Sequence, residues 1–160
     1  MVSWSSLPYQ QVNYASCHDN LTLWDEINTS NASDSYESRV KQNLMSAAII
    51  YTAQGIPFIF SGEEMLRSKV SDDGTFDDNS YNSPDSVNSI KWDSLSGASQ
   101  RKVYNYYKGL IEFRKAHPAF CNMEKASSYY KFNKDVEDGV IAYELAPCLS
   151  LIHISEPTRH

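Results

Sequence analysis

Cysteine is scarce in this chain: Cys17, Cys121 and Cys148 are the only three among 160 residues. Their number is odd and their spacing wide, which excludes a disulfide framework and gives no zinc-ligand pattern. Long apolar runs are lacking too, so no stretch reads as membrane-spanning, and the first residues do not resemble a signal peptide. A chain that begins inside a longer gene would lose its leader, so the compartment stays open. Positive charge is in deficit: 14 Lys and Arg against 20 Asp and Glu leave a formal charge of -6, with no basic patch. That balance argues against a nucleic-acid partner. Tyrosine, by contrast, is plentiful, with eleven residues beside three tryptophans. Flat aromatic faces suit sugar rings, although aromatics also fill cores. At 41% hydrophobic residues the chain can bury the core of one domain.

The most informative stretch is Val12–Asn20, Val-Asn-Tyr-Ala-Ser-Cys-His-Asp-Asn. Val12 and Tyr14 alternate with Asn13 and Ala15, which predicts a short buried strand. It stops at His18, Asp19 and Asn20, and a helix-like Leu21-Thr22-Leu23-Trp24-Asp25 follows. Polar groups gathered where a strand ends can be a catalytic site, because α/β barrels place their chemistry there. They can equally be an Asx-turn or a helix cap.

Further along, Asn28–Asp34 reads as a polar loop, with Ser33 or Asp34 capping the next helix and Glu37 favouring its first turn. Ser35–Gln54 is the clearest helix: Val40, Leu44, Ala47, Ala48 and Tyr51 mark one face, and Gly55 ends it. Ile56-Pro57-Phe58-Ile59-Phe60 is then wholly apolar, the pattern of a strand buried on both faces, with Pro57 tolerable near its start. Ser61-Gly62-Glu63-Glu64 repeats the motif of acidic groups after a strand. Strand, helix, strand predicts a parallel βαβ unit with a right-handed crossover.

Val70–Ser99 is a long loop holding Asp72, Asp73, Asp77, Asp78 and Asp85. Its spacing does not match a calcium-binding EF-hand, so the charges are read as solvated and no metal or other cofactor is expected. Tyr81, Ile90 and Trp92 favour an ordered loop. Ser99–His117 is a second helix with Val103, Tyr106, Tyr107, Leu110, Ile111 and Arg114 in register. After Pro118 the texture turns to short antiparallel strands, Tyr129–Phe132 and Val140–Leu145 about an Asp138-Gly139 turn, so a domain boundary is expected near Phe120.

Taken together, these pieces resemble the α-amylase family of glycoside hydrolases, and within it the type I pullulanases. Val12–Asn20 is similar to that family's fourth signature region, on the seventh barrel strand, and Leu23-Trp24-Asp25 is pullulanase-like. Gly55–Phe58 leading into Ser61–Glu64 resembles the eighth strand, and Arg67-Ser68-Lys69 with Asn79–Asn88 resembles the loop behind it. The likeness spans roughly Tyr9 to Leu145. It implies an α/β fold: the C-terminal part of a (β/α)8 TIM barrel, strand 7 to helix 8, in residues 1–119. The start of an all-β domain would follow in 120–148.

The resemblance also implies roles. Asp19 corresponds to the carboxylate that stabilises an oxocarbenium-like transition state, with His18 hydrogen-bonding the same sugar ring. Asn20, Tyr81, Asn82 and Asp85 become candidates for binding glucose units of an α-glucan polysaccharide, with turn chemistry as their other reading. Glu63 and Glu64 are read as equally structural, bonding backbone or Arg67. The nucleophile and the acid/base, roughly 5 Å apart in retaining enzymes, belong to the fourth and fifth strands, and no Arg-x-Asp motif is present here. The expected function is thus a fragment of a hydrolase cutting α-1,6 branch links, inactive alone and with apolar strand faces partly bare. The alternatives are another family member of isoamylase or glycogen-debranching type, or a non-catalytic α-glucan-binding module. Leu149–Arg159 has no counterpart in the family; it resembles an in-frame translated sequencing adapter, so residues 149–160 are assigned no function.

Overall fold

A computed structural model describes residues 10–117, 120, 130–132, 140–145 and 150–155. The first pairing is between β1 (Val12–Asn13) and β2 (Ile56–Pro57), parallel, with Val12 opposite Ile56 and Asn13 opposite Pro57. Between them run α1 (Leu23–Ser30) and α2 (Tyr36–Thr52), so the expected parallel crossover forms, with an additional helix in it. Pro57 fits because alternate residues of a parallel strand face the partner. The amides of Ile56 and Phe58 donate to Gln11 and Asn13 carbonyls, both at 2.9 Å, and the missing proline N–H falls between them.

The strands are shorter and barer than their sequence implies. Val12 is 52% exposed, Tyr14 56%, Ile56 44% and Phe58 42%. Burial on both faces is a property of neighbouring strands and covering helices, and among the described residues this pair has no third strand. Tyr14 and Phe58 instead meet edge to face, ring centroids 6.0 Å apart.

The helices behave closer to expectation. Thr22, not Asp19 or Asn20, caps α1, its hydroxyl accepting the Asp25 amide at 3.2 Å. That helix runs on through Asn28–Ser30, which the sequence reads as loop. Ser35 caps α2, one or two residues past the expected Asp34 or Ser33, since all three side chains are competent caps. Gly55 at φ 101 turns the chain from α2 into β2, a conformation costly for residues with a Cβ.

Val40, Ala47 and Tyr51 of α2 pack against Val103 and Tyr107 of α4 (Ala98–Ala116), with Leu66 from the intervening loop. Each fully buried large side chain of this kind contributes ~1.5–3 kcal/mol. At the end of α2, Arg114 reaches across from α4. Its guanidinium donates to the carbonyls of Tyr51 (2.8 Å), Ala53 (2.6 Å), Gly55 (2.8 Å) and Phe120 (3.0 Å). Helix C-terminal carbonyls lack partners within the helix, and a cation there also complements the macrodipole.

A 3-10 turn at Glu63–Met65 follows β2, and the long loop beyond it is ordered in short pieces, among them 3-10 turns at Ser80–Asn82 and Trp92–Ser96 and the one-turn α3 (Asp85–Asn88). Beyond Phe120, β3 (Tyr130–Phe132), β4 (Val140–Leu145) and β5 (Ser150–Ser155) form an antiparallel sheet in that order. The first two match the expected strands. The third lies in residues 149–160, which resemble a translated adapter. Leu151, Ile152 and Ile154 make it β-prone, and such a run pairs readily with an open strand edge.

Candidate active site

The end of β1 leads into an exposed bend. His18 and Asp19 stand there with side chains 79% and 74% exposed, His18 Nε2 3.5 Å from Asp19 Oδ1. Asn20 closes the bend in the left-handed region at φ 61, which asparagine tolerates better than most residues. The strand stops at Asn13, earlier than expected, and the Asp19 carboxylate is held out on the loop that follows it rather than spent on a helix cap.

What fixes this bend lies below it. Lys69 is almost wholly buried, at 3% exposure. Its Nζ donates to the His18 carbonyl (3.3 Å) and to Ser80 Oγ (2.6 Å), and sits 5.1 Å from the centre of the Phe60 ring. Burial lowers the Lys69 pKa, and the Arg67 charge lowers it further. Lys69 is itself anchored by Asp25 in α1, which is fully buried. One Asp25 oxygen accepts the Lys69 amide at 2.8 Å and the other accepts the Ser68 hydroxyl. One buried carboxylate thus locks α1 to the segment carrying Lys69, and Lys69 locks the His18–Asp19 bend to the Ser80 turn.

Arg67 flanks the same wall. It stacks over Phe60 at 4.6 Å and donates to the carbonyls of Ser61 (2.8 Å) and Asn88. Gly62, at φ 102, is required beside it: a Cβ there would stand 2.5 Å from Arg67 Cδ. Asn88 in turn donates to the Ser80 (2.6 Å) and Ser83 (2.9 Å) carbonyls. These bonds shape a cleft of about 220 Å³ lined by His18, Asp19, Phe60, Arg67, Lys69, Asp78, Asn79, Ser80, Tyr81 and Asn88. Its wall carries carboxylates, an imidazole, amides and the 85% exposed ring of Tyr81, a set suited to a ligand dense in hydroxyls with apolar ring faces.

Several proteins of known kind are similar to this chain in sequence and in shape. Pullulanase of Bacillus subtilis is 40% identical over 113 residues, 71% of this chain and 15% of that protein. Pullulanase 1, chloroplastic, of Arabidopsis thaliana is 40% identical over 90 residues, 56% of this chain and 9% of its own. The pullulanase structure from Bacillus acidopullulyticus superposes with TM-score 0.80 at 38% identity, covering 89% of this chain and 17% of that one. This chain is homologous to a segment of the pullulanases. It spans about a fifth or less of the length of these relatives. No family model matches it. A pullulanase from Anoxybacillus sp. LM18-11, described as complexed with maltotetraose, superposes with TM-score 0.75 at 42% identity, over 87% of this chain and 20% of that one.

Of the candidate residues in this pullulanase homologue, the cleft unites His18, Asp19 and Tyr81. Asn20, Asn82 and Asp85 do not line it: Asn20 shapes the bend, Asn82 ends a 3-10 turn and Asp85 opens α3. The acidic pair after β2 is structural. Glu63 is buried and accepts the Ser16 hydroxyl and the Phe60 amide, while Glu64 accepts the Gly62 amide at 2.9 Å. Arg67 takes carbonyls rather than either carboxylate. Burial pushes the Glu63 pKa up, despite the Ser16 hydrogen bond. Asp25 and Lys69 are the positioning residues that sequence reasoning passed over. The signal available was that both stand in pullulanase-like runs, Leu23-Trp24-Asp25 and Arg67-Ser68-Lys69.

Proposed function

We propose that this chain is part of a retaining glycoside hydrolase that cuts α-1,6 branch links in α-glucans of the pullulan, glycogen and starch type. It supplies one carboxylate of that reaction. The observation that carries the reading is the cleft in which His18 and Asp19 meet Tyr81. The relatives' name and the maltotetraose complex of a pullulanase neighbour support an α-glucan as ligand. In this reading Asp19 grips sugar hydroxyls and its negative charge steadies the oxocarbenium-like transition state. His18 hydrogen-bonds the same ring, and Tyr81 offers an apolar face to a neighbouring glucose. Hydrogen bonds that tighten in the transition state raise the rate without merely tightening ground-state binding.

The same reading makes β1, α2, β2 and α4 the run from seventh strand to eighth helix of a barrel, within residues 1–119. Residues 120–148 open an all-β domain, and 149–160 are a translated adapter whose pairing as β5 carries no function. The bare faces of β1 and β2 are then where neighbouring barrel strands and helices belong. Lacking a nucleophile and an acid/base, the chain alone releases no reducing ends from pullulan.

Grafting residues 10–117 into the matching segment of Bacillus subtilis pullulanase tests the reading. The graft is expected to hydrolyse pullulan. Asp19→Asn is expected to lower kcat by roughly a hundredfold or more, the equivalent of several kcal/mol of transition-state stabilisation. Wild-type kcat in an Asp19→Asn graft, or pullulan hydrolysis by the isolated chain, overturns it.

A further inference from the structure

The bend that presents Asp19 also brings a thiol beside it. Cys17 is half-buried, and its Sγ lies 3.8 Å from the Asp19 carbonyl oxygen. Cys17 Sγ, a ring nitrogen of His18 and a carboxylate oxygen of Asp19 all fall within 4.8 Å of one another. The nitrogen and oxygen are 3.5 Å apart. Two such ligands on one tetrahedral zinc, each about 2.1 Å from the ion, stand ~3.4 Å apart, and a thiolate at about 2.3 Å is only slightly farther. The imidazole and carboxylate already keep that separation. Their side chains are more than 70% exposed and pair with each other among the described residues, so closing on an ion costs, besides that pair, only the weak Cys17 S–H contact to the Asp19 carbonyl.

We propose that Cys17, His18 and Asp19 form a three-ligand site for a thiophilic divalent cation of the zinc class. The spacing of the three cysteines along the chain hides it, because two of the donors are not cysteines. Sulfur, imidazole and carboxylate together select zinc-like ions over calcium and magnesium, which take oxygen ligands. The fourth position stays open to water. On binding, the Cys17 thiol proton passes to solvent and a metal–sulfur bond forms. The ion engages the Asp19 carboxylate to which the proposed function gives the sugar, so it excludes glucan. That second half rests on the glucan reading; the metal site does not.

Cobalt(II) titration of the 160-residue chain is the test, since a thiolate–cobalt charge-transfer band reports the sulfur ligand directly. One equivalent is expected to saturate the band, and zinc(II) to displace it. The band should vanish in Cys17→Ser and need about tenfold more metal in His18→Ala or Asp19→Asn. It should persist in a Cys121→Ser, Cys148→Ser variant. No band, a band surviving Cys17→Ser, or one lost with the other two cysteines overturns the site. Maltotriose binding followed by calorimetry separates the two readings. Binding abolished by zinc supports occlusion, and equal binding with and without zinc overturns it. A metal-free chain that binds no maltotriose counts against the glucan reading, leaving the cobalt band to decide the metal site.

Discussion

Asp25 offers the sharpest check on how the site is held. Its two carboxylate oxygens accept the Lys69 amide and the Ser68 hydroxyl, and no part of it reaches solvent. Replacing it by alanine removes two hydrogen bonds to a charged group, worth ~1.5–3 kcal/mol each. It also leaves a buried backbone N–H without its partner. Relaxation and the relief of desolvating a carboxylate offset part of this, so Asp25→Ala is expected to cost about 3–5 kcal/mol. Domains have only ~5–15 kcal/mol in total. Asparagine keeps an oxygen for the Lys69 amide, and the Ser68 hydroxyl can turn to accept from its NH2. Asp25→Asn should therefore cost only about 1–2 kcal/mol. Urea unfolding of both variants measures the order, and amide exchange at Ser68–Lys69 and at His18–Asn20 shows whether the loss reaches the site. An alanine variant within about 0.5 kcal/mol of wild type would refute the lock. So would asparagine as damaging as alanine.

Three further outcomes follow from the same geometry. Arg114→Leu strips four carbonyls of their shared donor and is expected to destabilise by about 3–5 kcal/mol in urea unfolding, with Arg114→Lys recovering only part; a neutral result removes Arg114 as the cap of α2. Lys69→Met removes a buried charge but keeps the stem, so global stability should change by less than about 1 kcal/mol. Amide exchange at residues 17–20 and 79–82 should nevertheless quicken, and unchanged exchange there defeats the clamp. Burial raises the Glu63 pKa above its ordinary 4.5, so the native chain keeps this proton where the unfolded chain loses it. The stability of wild type relative to Glu63→Gln is thus greatest below pH 4.5 and declines as pH rises through the folded pKa. A flat difference between about pH 4 and 8 contradicts that burial effect.

Local pattern carried the helices well because their signals are local. The apolar stripe of α2 and the register of α4 lie within one or two turns, so Val40, Ala47, Tyr51, Val103 and Tyr107 were readable as core. The cap of α2 slipped to Ser35 because Ser33, Asp34 and Ser35 offer the same chemistry in a row. Strand burial departs from the sequence pattern for a different reason. The apolar run at Ile56–Phe60 states a preference for a covered environment, whereas its exposure depends on which neighbours are present. At the site, His18 and Asp19 stood out because two polar groups follow a β-prone run, and Tyr81 because a known loop pattern contains it. Asn20, Asn82 and Asp85 came from the same patterns, yet they serve backbone turns outside the cleft.

By itself the sequence determined the two long helices to within a residue or two, that β1 and β2 are parallel, and that the His-Asp pair follows the first strand. Those follow from periodicity, capping residues and turn residues acting over a few positions. Only the tertiary structure decided that Asp25 meets Ser68 and Lys69, that Lys69 reaches back to His18, and that Arg114 ties off α2. These bonds join residues some 40 to 60 positions apart. Nothing in local pattern encodes such a pairing. It arises when packing the apolar faces of α2 and α4 leaves a few buried charges with one way to be satisfied.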